Sequence, residues 1–296
     1  MLILFCTLKI QYSNNQKAEG MMSLNGKTLF ITGASRGIGR EIALRAAKDG
    51  ANIVIAAKTT TEHPKLGGTI FSVAKEIEEA GGQALAIQLD VRDQAAVAEA
   101  MKQAAEHFGG IDILINNAGA INLNGVESLD PSRFDLMYQV NTRAVMVCSQ
   151  AALPYLKKSA NPHIISLSPP MNMKEEWFAV HSPYTITKYG MSMLTIGMNQ
   201  EFSNYGISVN ALWPRTIIAT AAIEFSLGGR ELFTKARTPA IMADAAYQIM
   251  ISEKRSLTGR LLIDEEILRE RGVVDFEQYR VEQSDDELMV DLFVDP

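Results

Sequence analysis

Tyr184 and Lys188 stand four residues apart, and on a helix that spacing sets both side chains on one face. A free tyrosine titrates near pH ~10, too high for efficient proton exchange at neutral pH. A neighbouring ammonium favours the phenolate and lowers that value. Such a pair can give a proton to a carbonyl oxygen as a hydride reaches its carbon, or take one away in the reverse direction. The spacing alone is common on helix surfaces, so its meaning depends on what surrounds it. A second group lies far upstream, Thr32-Gly33-Ala34-Ser35-Arg36-Gly37-Ile38-Gly39. Glycine permits a tight turn and lets the backbone come close to a ligand. A helix starting there offers free N–H groups and a partial positive charge to a pyrophosphate. A glycine-rich turn without a ligand is the plainer reading. The lysine of an ATP-type phosphate loop is absent, which disfavours ATP hydrolysis.

Both groups need elements to position them. Apolar, strand-like runs occur at 27–32, 52–57, 83–89, 111–115, 163–167 and 207–212, with a seventh candidate at 257–263. Helical patterns fall between them: one ends near Lys48, one near Ala80, one opens at Asp93, a long one covers about 131–158, and one covers about 184–204. Continuous apolar strands alternating with helices predict parallel strands covered on both faces. Right-handed crossovers then give an α/β, single-domain, Rossmann-like doubly wound sheet of about seven strands. The glycine loop would follow the first strand, where a dinucleotide site requires it.

The second strand bears on which dinucleotide. A carboxylate at its end would hold the ribose 2′-OH of NAD. Here the strand ends Ile55-Ala56-Ala57-Lys58. Lys58, with Arg36 in the loop, offers two cations to a 2′-phosphate, so NADP (NADPH) is expected over NAD.

The chain has 296 residues, 47% hydrophobic and 21% charged, with a formal net charge of −6. These values fit a globular domain with a substantial core. The acidity argues against a nucleic-acid partner, and no apolar run is long enough for a membrane span. Cys6 and Cys148 are the two cysteines, too few for a disulfide scaffold, so a reducing, cytoplasmic setting is expected. His63, His107, His163 and His181 are scattered, and no metal site is expected. Residues 1–22 lack the ordered features of a secretory signal and read as a disordered extension, with Met21-Met22 an alternative start. Residues 23–263 form the cofactor-binding domain. The acidic tail, 264–296, reads as part of that domain or as an interface arm.

The Thr32–Gly39 loop, Asp90-Val91, Asn116-Asn117-Ala118-Gly119, Asn141 and the Tyr184/Lys188 pair together resemble the short-chain dehydrogenase/reductase family. The resemblance implies an NAD(P)-dependent oxidoreductase acting on an alcohol or carbonyl substrate, with Tyr184 as general acid/base. It also implies that Gly33, Ser35, Arg36, Gly37, Ile38 and Gly39 bind the cofactor. Asp90 and Val91 would meet the adenine, and Asn117, Ala118, Gly119 and Pro214 would border the cofactor. Asn141 would hold a helix bend and a water in a proton relay to Lys188, which would itself bind ribose. As residues alone, Asp90 reads equally well as a strand-end turn and Asn141 as a helix cap.

Three departures from the family pattern carry expectations. A serine that polarises the substrate carbonyl usually follows the fifth strand, and Pro169 stands there. Ser168, one residue earlier, is the candidate replacement. The expected Pro-Gly after the sixth strand is Pro214-Arg215, so Arg215 either meets an anionic group or lies in solvent. The segment 169–183 carries Met171, Met173, Trp177 and Phe178, either a wall for an apolar substrate or a loop packed on itself. The helix after Tyr184 has apolar residues all round, including Met191, Met193, Leu194, Ile196 and Met198, which implies burial on several sides. In the resembled family such helices pack across a subunit interface, which implies a homodimer or homotetramer, with core packing inside one chain the alternative. The alternative function is a cofactor-binding sensor with little catalysis.

Overall fold

The computed structural model describes residues 23–63, 66–226, 228–282 and 286–295. The extension expected at 1–22, with Cys6, lies outside the described residues. Seven strands form one sheet: β1 (Thr28–Thr32), β2 (Asn52–Ala57), β3 (Gln83–Gln88), β4 (Ile113–Asn116), β5 (His163–Ser166), β6 (Ser208–Trp213) and β7 (Leu261–Ile263). Their order is β3-β2-β1-β4-β5-β6-β7, and every pairing is parallel. The helices are α1 (Gly37–Ala47), α2 (Ile70–Glu79), α3 (Gln94–Phe108), α4 (Pro131–Tyr138), α5 (Ala144–Leu156), α6 (Glu176–Ala179), α7 (Ser182–Glu201), α8 (Ala221–Ser226), α9 (Ala240–Met250) and α10 (Asp264–Glu270).

The strand sequences explain why both faces are covered. In β1, Leu29 and Ile31 point into one apolar core with Ile42 of α1, Val73 of α2 and Ile249 of α9. Phe30 points to the opposite core, with Met101 of α3, Cys148 of α5 and Met191 of α7. Side chains alternate along a strand, so a strand with no polar positions is stable only between two such layers. The order reverses between β1 and β4, which opens a crevice at the carboxyl ends of those strands.

Two boundaries differ from expectation. The long helix of 131–158 is two helices, α4 and α5, joined by a π-helical turn at Gln139–Arg143. The last strand is confined to Leu261–Ile263. Gly259, at φ +74°, turns the chain just before it, and Leu257 is instead tied by its carbonyl, which accepts from Asn210 Nδ2 at 2.9 Å.

The acidic segment is not a solvated surface throughout. Its α10 packs on α9, and Phe276 and Tyr279 are buried in the α1/α9 core. Residues 289–291 then run back alongside the stretch after β6. Ile217 N–H donates to the Met289 carbonyl (3.0 Å), Met289 N–H to the Lys235 carbonyl (2.9 Å) and Asp291 N–H to the Arg215 carbonyl (3.0 Å). Trp213 Nε1 donates to the Leu292 carbonyl at 2.9 Å. Asp295 meets Lys174 Nζ at 2.8 Å and accepts from Asn172 Nδ2 at 2.8 Å. This strap ties the loop after β5 to the loop after β6, across the mouth of the crevice.

Candidate active site

The crevice holds a cavity of about 520 Å³ that runs from the glycine loop, past the ends of β2 and β3, to α7 and the strap. At one end, Gly33 (φ +69°) and Gly37 (φ +58°) take left-handed conformations. Arg36 is extended, and no side chain caps the start of α1. The first N–H groups of that helix are therefore open to an anion at the cavity wall. The loop is fixed from behind by Asn117. Its Nδ2 donates to the carbonyls of Thr32 (2.8 Å) and Gly33 (3.1 Å). Thr32 Oγ1 accepts from the backbone N–H of Asn117 and of Ala118, both at 3.0 Å. A Cβ on Gly33 would stand 2.9 Å from Ala118 Cα, and one on Gly39 would stand 2.4 Å from Asn117 Nδ2. Glycine is thus required by close approach at both positions.

The wall beyond carries the charges. Arg36 Nη2 donates to the Gly68 carbonyl at 3.0 Å and Thr59 Oγ1 at 3.4 Å, while Arg36 Nε is buried without a partner. Lys58 is 64% exposed and lies 4.0 Å from Asp90. Asp90 is gripped by Arg92 at 2.6–3.0 Å, and that hydrogen-bonded guanidinium holds its carboxyl below the usual range. The adenine contact expected of Asp90 would have to share a carboxylate that Arg92 already holds.

At the other end, α7 presents Tyr184 and Lys188 to the cavity. The helix is pinned between them. Asn141 Nδ2, on the π-helical turn, donates to Thr187 Oγ1 (3.0 Å) and to the Ala120 carbonyl (2.9 Å), and its Oδ1 accepts from Ala120 N–H (2.8 Å). Thr187 Oγ1 donates in turn to the Tyr184 carbonyl at 2.8 Å. Lys188 Nζ donates to the Leu167 carbonyl at 2.5 Å and lies 4.8 Å from the centre of the Trp213 ring.

The expected lowering of the Tyr184 pKa is corrected here. Burial, and then the charge of Asp291, raise it above the ordinary tyrosine range. Burial brings Lys188 down to about 7. The strap contributes to that burial. Phe293 is fully buried and stacks on the Tyr184 ring at 6.2 Å and 29°, which withdraws the phenol from water. Tyr184 is consequently held protonated, suited to donate a proton.

Of the residues expected at the site, Gly33, Ser35, Arg36, Gly37, Ile38, Lys58, Asp90, Val91, Asn117, Ala118, Gly119, Asn141, Tyr184, Lys188 and Pro214 line this one cavity. Gly39 packs behind it on Asn117. Ser168 is not brought to it. Ser168 is fully buried, its Oγ has no partner among the described residues, and its backbone N–H turns back to the Ser166 carbonyl at 2.9 Å. The apolar wall is also corrected. Ile121, Leu136, Val140, Trp213, Ile218 and Ile223 line the cavity, whereas Trp177 and Phe178 pack against the strap cluster and Met173 is exposed. Arg215 is committed through its backbone, whose N–H donates to Asp264 Oδ1 at 2.9 Å.

Residues 27–226 match the short chain dehydrogenase family. The chain belongs to this family. Its class is that of NAD(P)-dependent oxidoreductases. The chain is 53% identical over 272 residues to hydroxysteroid dehydrogenase-like protein 2 of Danio rerio, covering 92% of this chain and 65% of that protein. It thus spans just under two thirds of that relative's length. A crystallised short chain dehydrogenase of Mycobacterium thermoresistibile superposes with a TM-score of 0.87 at 48% identity, covering 92% of this chain and 96% of the other. NADH-dependent reductase A1-R′, crystallised with NAD, superposes with a TM-score of 0.67 at 25% identity, covering 81% and 95%.

Besides the apolar lining, sequence reasoning misses Asp291, which lines the cavity, and Phe293, which covers Tyr184. The apolar run Leu292-Phe293-Val294 inside an acidic segment is the signal that the segment docks, although it does not say where.

Proposed function

We propose that this dehydrogenase uses NADP(H) to interconvert an alcohol and a carbonyl, with Tyr184 transferring the proton. One observation carries the reading: the open start of α1 and the Tyr184–Lys188 pair stand at the two ends of a single cavity. The residues fit a dinucleotide: two glycine approaches that a Cβ would block, an uncapped helix start, and a buried Arg36 Nε without a partner. NADP(H), when bound, supplies or accepts the hydride. The α1 N–H groups with Gly33, Ser35, Gly37 and Ile38 hold the pyrophosphate. Arg36 and Lys58 take the 2′-phosphate, Asp90 and Val91 border the adenine, and Asn117, Ala118, Gly119 and Pro214 flank the nicotinamide. Lys188 holds ribose while Tyr184 gives its proton to the substrate oxygen. Asn141 keeps α7 in place through Thr187. The apolar wall from Ile121 to Ile223 suits an apolar carbonyl or alcohol.

Thermal unfolding without ligand, with NADH and with NADPH at equal concentration tests the cofactor choice. A ligand at 100 times its Kd stabilises by about 2.7 kcal/mol. A larger shift with NADPH is expected, and a larger shift with NADH would overturn the choice. The exposed Ile186, Met193 and Ile196 of α7, with Met146 of α5, support a homodimer or homotetramer, and Ile196→Glu is expected to lower the mass in sedimentation. The buried free thiol of Cys148 accords with a reducing, cytoplasmic setting, which subcellular fractionation checks.

The orphaned Ser168 Oγ favours a second reading, a cofactor-binding sensor with little catalysis. It predicts a melting shift without turnover on any member of a carbonyl panel. Measurable turnover of one member excludes it.

A further inference from the structure

Carbonyl reduction builds negative charge on the substrate oxygen, and Tyr184 accounts for one hydrogen bond to it. In a site closed to water a second preorganised donor has a large effect. The polar side chains on the cavity wall can be taken in turn. Asn117 Nδ2 donates to the Thr32 and Gly33 carbonyls, and Asn141 Nδ2 to Ala120 and Thr187. Trp213 Nε1 is spent on the Leu292 carbonyl. Thr220 stands by Gly37 at the phosphate end, as do Ser35, Arg36, Lys58 and Thr59. Lys188 donates one N–H to the Leu167 carbonyl, and its other donors are those assigned to ribose; Asp90 is held by Arg92 at the far end. Ser168 does not reach the cavity.

Asp291 remains. The strap carries it onto the cavity wall with Tyr184 and Lys188, anchored by its own N–H on the Arg215 carbonyl at 3.0 Å and by Phe293 on the Tyr184 ring. Its Oδ1 accepts from Leu292 N–H at 2.6 Å, and its Oδ2 has no hydrogen-bond partner among the described residues. We propose that Asp291, as a neutral carboxylic acid, donates the second hydrogen bond to the reacting oxygen of the substrate, replacing the hydroxyl that Pro169 cannot offer. The inference rests on the oxidoreductase reading above.

The surroundings favour the neutral acid. Burial first, and the charge of Asp264 on α10, raise Asp291 to about 7 against the opposing pull of the Leu292 N–H bond and of Lys188. The charged and titratable groups that face it are Lys188 and Tyr184 from α7 and Asp264 from α10. An ionised Asp291 would repel the developing oxyanion, and a protonated one stabilises it. The bonds made and broken are otherwise unchanged. The substrate carbon gains the hydride, its oxygen gains the Tyr184 proton, and Asp291 keeps its own.

The test combines kinetics with a measurement that needs no turnover. A panel of ketones and diones first identifies the fastest substrate of the NADPH-loaded wild type; no turnover on any member would fail the oxidoreductase reading itself. On that substrate, Asp291→Leu is expected to lower kcat by about 10²- to 10³-fold, the effect of removing one such donor. Asp291→Asn, whose amide still donates, is expected to keep most of the rate. Infrared difference spectra of the NADPH complex, wild type minus Asp291→Asn, at a pH below 7, should contain the C=O stretch of a carboxylic acid. That spectrum decides the protonation state even if Asp291→Leu fails to fold. An absent acid band, an Asp291→Leu enzyme as fast as wild type, or an Asp291→Asn enzyme as slow as Asp291→Leu would each overturn the proposal.

Discussion

Phe293→Ala removes the residue that closes the strap over Tyr184, and its effect can be worked out from the packing. The side chain is fully buried. Its ring centroid lies 5.3 Å from Tyr189, 5.8 Å from His181, 5.9 Å from Trp177, 6.0 Å from Trp213 and 6.2 Å from Tyr184. Truncating a buried phenylalanine costs about 3–5 kcal/mol. At about 2–4 °C per kcal/mol for a domain of this size class, a global loss would lower Tm by about 6–20 °C. The backbone adds a second consequence. Phe293 sits at φ +71°, a conformation that a bulky residue adopts only when its surroundings impose it. Without the ring, the strap should leave the crevice before the domain melts, a local opening of the kind amide exchange detects. Two further readouts follow. The Asp291 amide, now bonded to the Arg215 carbonyl, should exchange faster. Tyr184, whose pKa is raised first by burial, should titrate closer to the ordinary tyrosine value in ultraviolet absorbance. An unchanged Tm together with unchanged exchange and unchanged tyrosine titration would refute the role given to the strap.

Gly39→Ala should disable the cofactor end of the site. Its Cβ would lie 2.4 Å from Asn117 Nδ2, displacing the amide that holds the Thr32 and Gly33 carbonyls. Overpacking of this kind costs about 1–3 kcal/mol, and the melting shift given by NADPH should shrink; a variant with wild-type Tm and shift would contradict the tether. Asp264→Asn tests a pH dependence. Burial raises the Asp264 carboxyl from its ordinary 3.8 to about 7, so the folded protein keeps a proton that the unfolded chain has released. Its contribution to stability is fully present below 3.8 and is lost as pH rises through about 7. Asparagine keeps an oxygen for the Arg215 and Glu265 N–H groups and has no charge to bury. The Tm advantage of Asp264→Asn over wild type should therefore grow between about pH 5 and about pH 8; a constant difference would contradict the buried-carboxyl account.

The strands were legible because burial on both faces gives consecutive apolar residues, such as Ile53-Val54-Ile55-Ala56-Ala57 and Leu29-Phe30-Ile31. The run Asn52–Ala57 is recovered to the residue, and the glycine loop falls where β1 meets α1. Tyr184 and Lys188 share one face because helix geometry fixes it. The break in the long helix was legible only through the family resemblance, which implies a helix bend at Asn141. Periodicity does not show it, because α5 opens Ala144-Val145-Met146-Val147-Cys148, apolar nearly all round, so the π-helical turn at Gln139–Arg143 displaces no distinct stripe. Ser168 looked available only because a sequence does not reveal which way a strand-end bend turns a hydroxyl. Tyr184 illustrates the largest gap. The neighbouring lysine predicts a lowered pKa, but Phe293, more than a hundred positions away, buries the phenol and reverses the direction. Long-range contacts of that kind leave only a composition signal, and in 264–296 the acidic residues mask the apolar ones that dock, among them Phe276, Tyr279 and Phe293.

The most direct test of the central claim is NADPH consumption by wild type and by Tyr184→Phe over the same carbonyl panel, with cofactor binding followed in parallel by thermal unfolding. Wild type should oxidise NADPH in the presence of at least one carbonyl. Tyr184→Phe should show the same NADPH-induced melting shift with turnover reduced to background. Equal rates in the two proteins would contradict the assignment of Tyr184 as the proton donor.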